Sequence, residues 1–112
     1  MLAERVAAIE SLGLLGDKRA VAPLLTVLTE DESQARQAAV AALGMLRDDR
    51  AVKPLIAVLS EPEPELQAIA ASVLGSLGDQ QAVEPLRNAL TSNDSNVRSA
   101  AAEALRQLGH LP

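Results

Sequence analysis

The segment Leu43-Gly44-Met45-Leu46-Arg47-Asp48-Asp49-Arg50-Ala51-Val52-Lys53-Pro54-Leu55 decides the fold, because it recurs. Thirty-one residues earlier its skeleton stands as Leu12-Gly13, Ala20-Val21 and Pro23-Leu24; 31 residues later it stands as Leu74-Gly75, Ala82-Val83 and Pro85-Leu86. Ten of the 31 positions are identical in all three copies: Ala8, Leu12, Gly13, Leu15, Asp17, Ala20, Val21, Pro23, Leu24, Leu28 and their equivalents. A truncated fourth copy runs from Asn96-Val97-Arg98 to Leu108-Gly109. The 112-residue chain thus divides into repeats 2–32, 33–63 and 64–94 and a half repeat 95–112, within one domain spanning 1–112. A fixed period of this length is the mark of a stacked-repeat architecture.

Each repeat reads as two helices. Ala35, Ala39, Val40, Leu43 and Leu46 contain the i, i+4, i+8 stripe of an amphipathic helix. The chain's 21 Ala and 19 Leu are strong helix formers. Ser33, Pro64 and Ser95 open the first helices, the serines as N-caps and the proline in the first turn. Leu15-Gly16-Asp17 ends the first helix, Gly16 taking the left-handed C-terminal conformation. Arg47 replaces that glycine in repeat two, which predicts an altered or strained turn there. Asp17, Asp48 and Asp79 sit where they cap either the second helix or a tight turn before it. Pro23, Pro54 and Pro85 belong in a first helical turn. The regular second helix is therefore expected at about 22–29, after a tight turn at 18–20. Helices this short need neighbours to bury their apolar faces, and stacking supplies them, so the fold class is an all-α solenoid of about seven helices.

Composition excludes much chemistry. The chain has no Cys, hence no thiol nucleophile and no thiolate metal site, and its one His, His110, rules out a multi-His site. His110 reads as an incidental tail residue. Without Phe, Tyr or Trp the chain has no aromatic ring on which to stack a base, and a net charge of -5 opposes binding driven by counterion release. No nucleic-acid partner is therefore expected. The longest apolar run, Ala38 to Leu46 counting Gly, is nine residues, about half a membrane span, and the N-terminus lacks a signal-peptide layout. A cytoplasmic location is the default expectation, with no membrane partner. Calcium-loop spacing and a GxxxxGK phosphate loop are both missing. Glu30, Asp31, Glu32, Glu61 and Glu63 read as residues of solvated turns, and no carboxylate pair falls in a recognisable cleft. The expectation is a non-enzyme with no cofactor and no metal site.

The strings Val97-Arg98, Ala100-Ala101, Ala104-Leu105, Leu77-Gly78-Asp79 and Ala82-Val83-Glu84-Pro85-Leu86 resemble the short HEAT-like repeat of the phycobilisome-lyase type. Artificial repeat proteins on the same consensus look similar, although the irregular Arg47, Gln67 and Gln81 speak against a consensus design. The resemblance implies helix pairs wound in a right-handed superhelix, with the second helices on the concave face. It implies a role in holding other proteins, with an accessory or chaperone subunit of a bilin lyase system as the alternative. Repeat three departs from the pattern: Gln67 stands for Arg5, Arg36 and Arg98, and Gln81 for Arg19 and Arg50. An arginine ladder to the turn aspartates would be interrupted there.

Partner specificity is expected at variable positions of the second helices: Arg19, Ala22 and Thr26; Arg50, Lys53 and Ala57; Gln81, Glu84 and Asn88. Steps of three and four place each trio on one helical face. With Lys18 and Arg47 nearby, the surface is basic toward repeats one and two, suiting an acidic helix or loop of an unidentified protein partner. Repeat charges of -3, 0, -3 and +1 support that asymmetry in part. A second candidate, Val6, Leu14 and Met45, is an apolar area on the outer face suited to a weak homodimer contact; otherwise the chain is a monomer. Glu4, Arg87 and Arg106 stand at positions that are apolar or Gly in other repeats, and read as polar caps of a self-contained domain.

Overall fold

The computed structural model describes residues 1–110; Leu111 and Pro112, the end of the half repeat, lie outside the described residues. Seven α-helices and no strand occur among the described residues: α1 Leu2–Leu15, α2 Val21–Val27, α3 Ser33–Leu46, α4 Val52–Val58, α5 Pro64–Leu77, α6 Val83–Ala89 and α7 Ser95–Gln107. Single 3-10 turns at Lys18–Ala20, Asp49–Ala51 and Gln80–Ala82 precede the second helices, at the predicted places.

These turns are built by the repeated aspartates. Asp17, Asp48 and Asp79 accept from the backbone N–H of Arg19 (2.9 Å), Arg50 (2.9 Å) and Gln81 (2.8 Å). An aspartate oxygen that takes an orphan N–H at the start of a turn fixes where the chain re-enters helix. The serines behave differently from expectation. Ser33 and Ser95 are the first helical residues, and the capping positions are Glu32, Glu63 and Asp94. Only the shorter Asp94 carboxylate reaches back, to the N–H of Asn96 and Val97.

Arg47 takes the same left-handed conformation as its glycine equivalents, with φ 51° beside 72° at Gly16 and 77° at Gly78. The turn keeps its shape at a conformational cost of roughly 1 kcal/mol. Arg47 Nη2 donates to the Ser76 carbonyl across the repeat boundary at 2.9 Å, which offsets part of that cost.

The first helices α1, α3, α5 and α7 stack side by side in one layer, and each second helix packs on the first helix of the following repeat. Glycine permits the close stacking. A Cβ on Gly13 would lie 2.9 Å from the Ala42 backbone, and one on Gly75 2.7 Å from the Ala104 backbone. Leu43, Leu55, Leu74 and Leu86 are fully buried in one continuous core. A side chain of that size contributes about 1.5–3 kcal/mol on burial, which short second helices could not obtain alone.

The predicted Arg ladder forms in part: Arg19 and Arg50 pair with the turn aspartates Asp17 and Asp48, whereas Arg5 and Arg36 take other partners. Arg36, only 7% exposed, donates from Nε to the Leu28 carbonyl of the preceding repeat (3.1 Å) and from Nη1 to Glu63 (2.8 Å), and also pairs with Glu61. Arg5 pairs with Glu30 and Glu32. These loop glutamates are therefore ion-pair partners, which corrects the expectation of simple solvated turns. The cause is placement: the arginine lies one turn into a first helix and points back over the loop that ends its own repeat. Gln67 loses the ion pairs but still donates to the equivalent carbonyl, that of Leu59, at 3.1 Å. His110 is likewise tied down, contrary to expectation. Its N–H donates to the Leu105 carbonyl at 2.8 Å, and its ring lies 2.7 Å from Gln80 Oε1.

Candidate functional site

All nine variable positions of the second-helix layer are exposed: Arg19, Ala22, Thr26, Arg50, Lys53, Ala57, Gln81, Glu84 and Asn88. The residues beside them in sequence are buried, among them Val21, Leu24, Val52, Leu55, Val83 and Leu86. Helical periodicity thus separates an invariant inner face from a variable outer one.

The electrostatics are more restrained than formal charge suggests. The Arg19 guanidinium pairs with Asp17 at 2.7 Å and that of Arg50 with Asp48 at 2.9 Å. Hydrogen bonds from the Arg50 side chain, then from its backbone N–H, hold the Asp48 carboxyl down to about 2. Arg19 lowers Asp17 in the same way. Arg50 Nη2 also donates to the Lys18 carbonyl at 3.2 Å, the one rung by which this arginine joins two repeats. Lys18, Lys53 and the neighbouring Arg47 have no ion-pair partner among the described residues, so they carry the unpaired positive charge of the surface toward repeats one and two. On α6 the charge is internal, Glu84 pairing with Arg87.

A cleft that the sequence did not reveal opens between α4 and α6, lined by Ile56, Ser60, Gln67, Pro85, Asn88 and Thr91 among others. Of the nine positions it contains Asn88 alone. Its signal would have been the small polar residues that follow the second helices at equivalent places, Ser60 and Thr91, both of which line it. The outer-face candidate separates. Leu14 (72% exposed) and Met45 (51% exposed) share a groove with Glu10, Ala38 and Ala41, whereas Val6 is half-buried and lies outside that groove. No group of His, Cys, Asp and Glu able to hold a metal ion occurs among the described residues, and no helix there is long and apolar enough to cross a membrane.

Known proteins bear on this geometry. No curated protein matches the chain significantly. Among solved structures, the complex of CpcE and CpcF of phycocyanin lyase from Nostoc sp. PCC7120 is similar at 30% identity with a TM-score of 0.81. The match covers 92% of this chain and 43% of that one, so the chain spans less than half the length of its structural relative. The expected short HEAT-like repeat and all-α solenoid are thereby borne out. The family model for HEAT repeats matches twice, over residues 3–63 and 52–112. The chain belongs to the HEAT-repeat family.

Proposed function

We propose that the chain is a non-enzymatic scaffold or adaptor that holds a protein partner across its second-helix layer, the concave face of the solenoid. The observation that carries this reading is the exposure of all nine variable side chains on one layer above an invariant core. Lys53, with Arg50 and Lys18 beside it, favours an acidic segment of the partner over repeats one and two. Asn88 and the neighbouring cleft supply hydrogen-bonding contacts over repeat three. The reading places the protein in the cytoplasm, with contact energy concentrated in a few of these residues. Affinity capture from the source cell, with the Arg50→Glu/Lys53→Glu protein as control, tests the proposal. The expected result is a partner held by the native chain and lost from the variant, with the helical circular dichroism of the two unchanged. Equal capture by both would exclude this face.

The similarity to the phycocyanin lyase complex favours one narrower alternative, an accessory or chaperone subunit acting in bilin attachment. A shift in the visible absorption of a tetrapyrrole, on mixing it with the chain and its captured partner, would support that role. An unchanged spectrum would leave the scaffold reading alone.

A further inference from the structure

The cleft between α4 and α6 lies inside the stack, with residues of repeats two, three and four around it and a volume of about 370 Å³. One repeat earlier the same junction is filled. Buried Arg36 reaches there to the Leu28 carbonyl, Glu61 and Glu63. Thirty-one residues on, four lining residues are smaller than their counterparts: Gln67 for Arg36, Ala89 for Val58, Ser92 for Glu61 and Val97 for Leu66. A fifth, Asn88 for Ala57, adds an amide. The four reductions open space at one junction, and the two that remove charge leave no ionised side chain on its lining.

We propose that this cleft receives a tyrosine side chain of the protein partner; the inference rests on the second-helix layer being the partner-binding face. The chemistry of the lining selects that occupant. Ile56, Leu59, Pro85, Ala89 and Val97 offer apolar carbon. Gln67 donates from Nε2 to the carbonyls of Leu59 and Glu61, which fixes its amide. Its Oε1 takes no protein donor among the described residues, and no side-chain oxygen without a partner is sealed from solvent there. A fixed acceptor is therefore reachable at the cleft that Gln67 lines. A charged head would lose water here and meet no counter-charge. A wholly apolar side chain would leave the Gln67 oxygen dehydrated and unpaired. A phenol supplies both needs: a flat apolar ring, and a hydroxyl that donates to Gln67 Oε1 and accepts from the exposed Asn88 amide or Ser60 hydroxyl. An indole N–H donates only. Tyrosine is also among the side chains that carry most of the energy of protein contacts.

The chain has no Phe, Tyr or Trp, so ring-current shifts in a mixture come from the added ligand alone. The probe is N-acetyl-L-tyrosinamide, titrated into the full chain to about 20 mM because a ligand this small binds weakly, and followed by side-chain amide NMR. Saturable shifts are expected at Gln67 and Asn88, with the phenylalanine analogue bound roughly three- to tenfold more weakly for want of one hydrogen bond. Gln67→Leu should bring the two analogues to equal affinity. Gln67→Arg/Ser92→Glu rebuilds the junction that Arg36 and Glu61 form one repeat earlier, so it should fold and lose the shifts. Absence of saturable shifts, shifts centred instead on Leu14 and Met45, or equal binding of both analogues to the native chain overturns the tyrosine cleft. Partner capture separates this inference from the reading beneath it. Capture lost with Arg50→Glu/Lys53→Glu and weakened at least about tenfold by Gln67→Arg/Ser92→Glu supports both. Capture lost with the first variant and unchanged by the second overturns the tyrosine cleft alone. Capture unchanged by either overturns the face and the cleft together.

Discussion

Leu12 and Leu43 are the same residue, at the same place in the same helix of the same repeat, yet one is 36% exposed and the other fully buried. The difference teaches where stability resides in this molecule. The repeat hairpin by itself hides little; its leucines are covered by the repeat before. Local pattern sets which face is apolar, and the neighbour sets how much that face contributes.

The sharpest way to break this comparison is to truncate both residues. Leu43→Ala should cost about 3 kcal/mol, because a cavity is left inside a filled core. Leu12→Ala, measured at about 1 µM to keep the chain dilute, should cost under about 1 kcal/mol. Urea unfolding of the two variants checks this, and equal losses would mean that the stacked core is wrongly placed.

A smaller effect is expected at the junction between repeats one and two. Arg36→Ala removes a buried guanidinium that joins the Leu28 carbonyl to Glu61 and Glu63. The cost should be about 2 kcal/mol, since the two glutamates can rehydrate while the carbonyl loses its donor. Arg36→Gln should lose about half as much, because repeat three shows with Gln67 that an amide still reaches the equivalent carbonyl. If glutamine proves as costly as alanine, the ion pairs and not the carbonyl bond fasten the junction.

The smallest expected effect concerns acid. Asp48 sits near 2, down from an ordinary 3.8, because Arg50 hydrogen-bonds its charged form. A depressed carboxyl stabilises the fold above its ordinary value, and that contribution is lost as pH falls from about 4 toward 2. Asp17 adds a shift in the same direction. Thermal melts between pH 5 and 2 should fall less steeply over that window for Asp48→Asn than for the native chain. Parallel curves would mean that this turn is not held by charge.

Much of this was legible in the sequence because its signals are local. The aspartates and prolines placed the 3-10 turns and the second helices, and the Ala and Leu stripe placed the first helices. Less local features escaped. Ser33 and Ser95 looked like caps, but Glu32 and Asp94 stand at the non-helical residue before them. Arg36 was matched with the turn aspartates, whereas the fold brings Glu61 and Glu63, 25 and 27 residues away, over its guanidinium. Glu4 read as a polar cap although Leu12 and Leu15 on the same stripe remain uncovered, because a substitution draws the eye and an unchanged residue does not. Of the candidate site, exposure was predictable from spacing. The pairing of Arg19 and Arg50 with the turn aspartates was legible as part of a ladder, but the structure closes each pair within its own turn, and only Arg50 reaches on to the preceding repeat, at the Lys18 carbonyl.

Hydrogen–deuterium exchange of the native chain, alone and with its captured protein partner, tests the central claim most directly. The account predicts partner-induced protection in the second helices and their turns, residues 18–27, 49–58 and 80–89, with the groove of Leu14 and Met45 unchanged. Protection confined to the first helices, or absent from the second-helix layer, would contradict it.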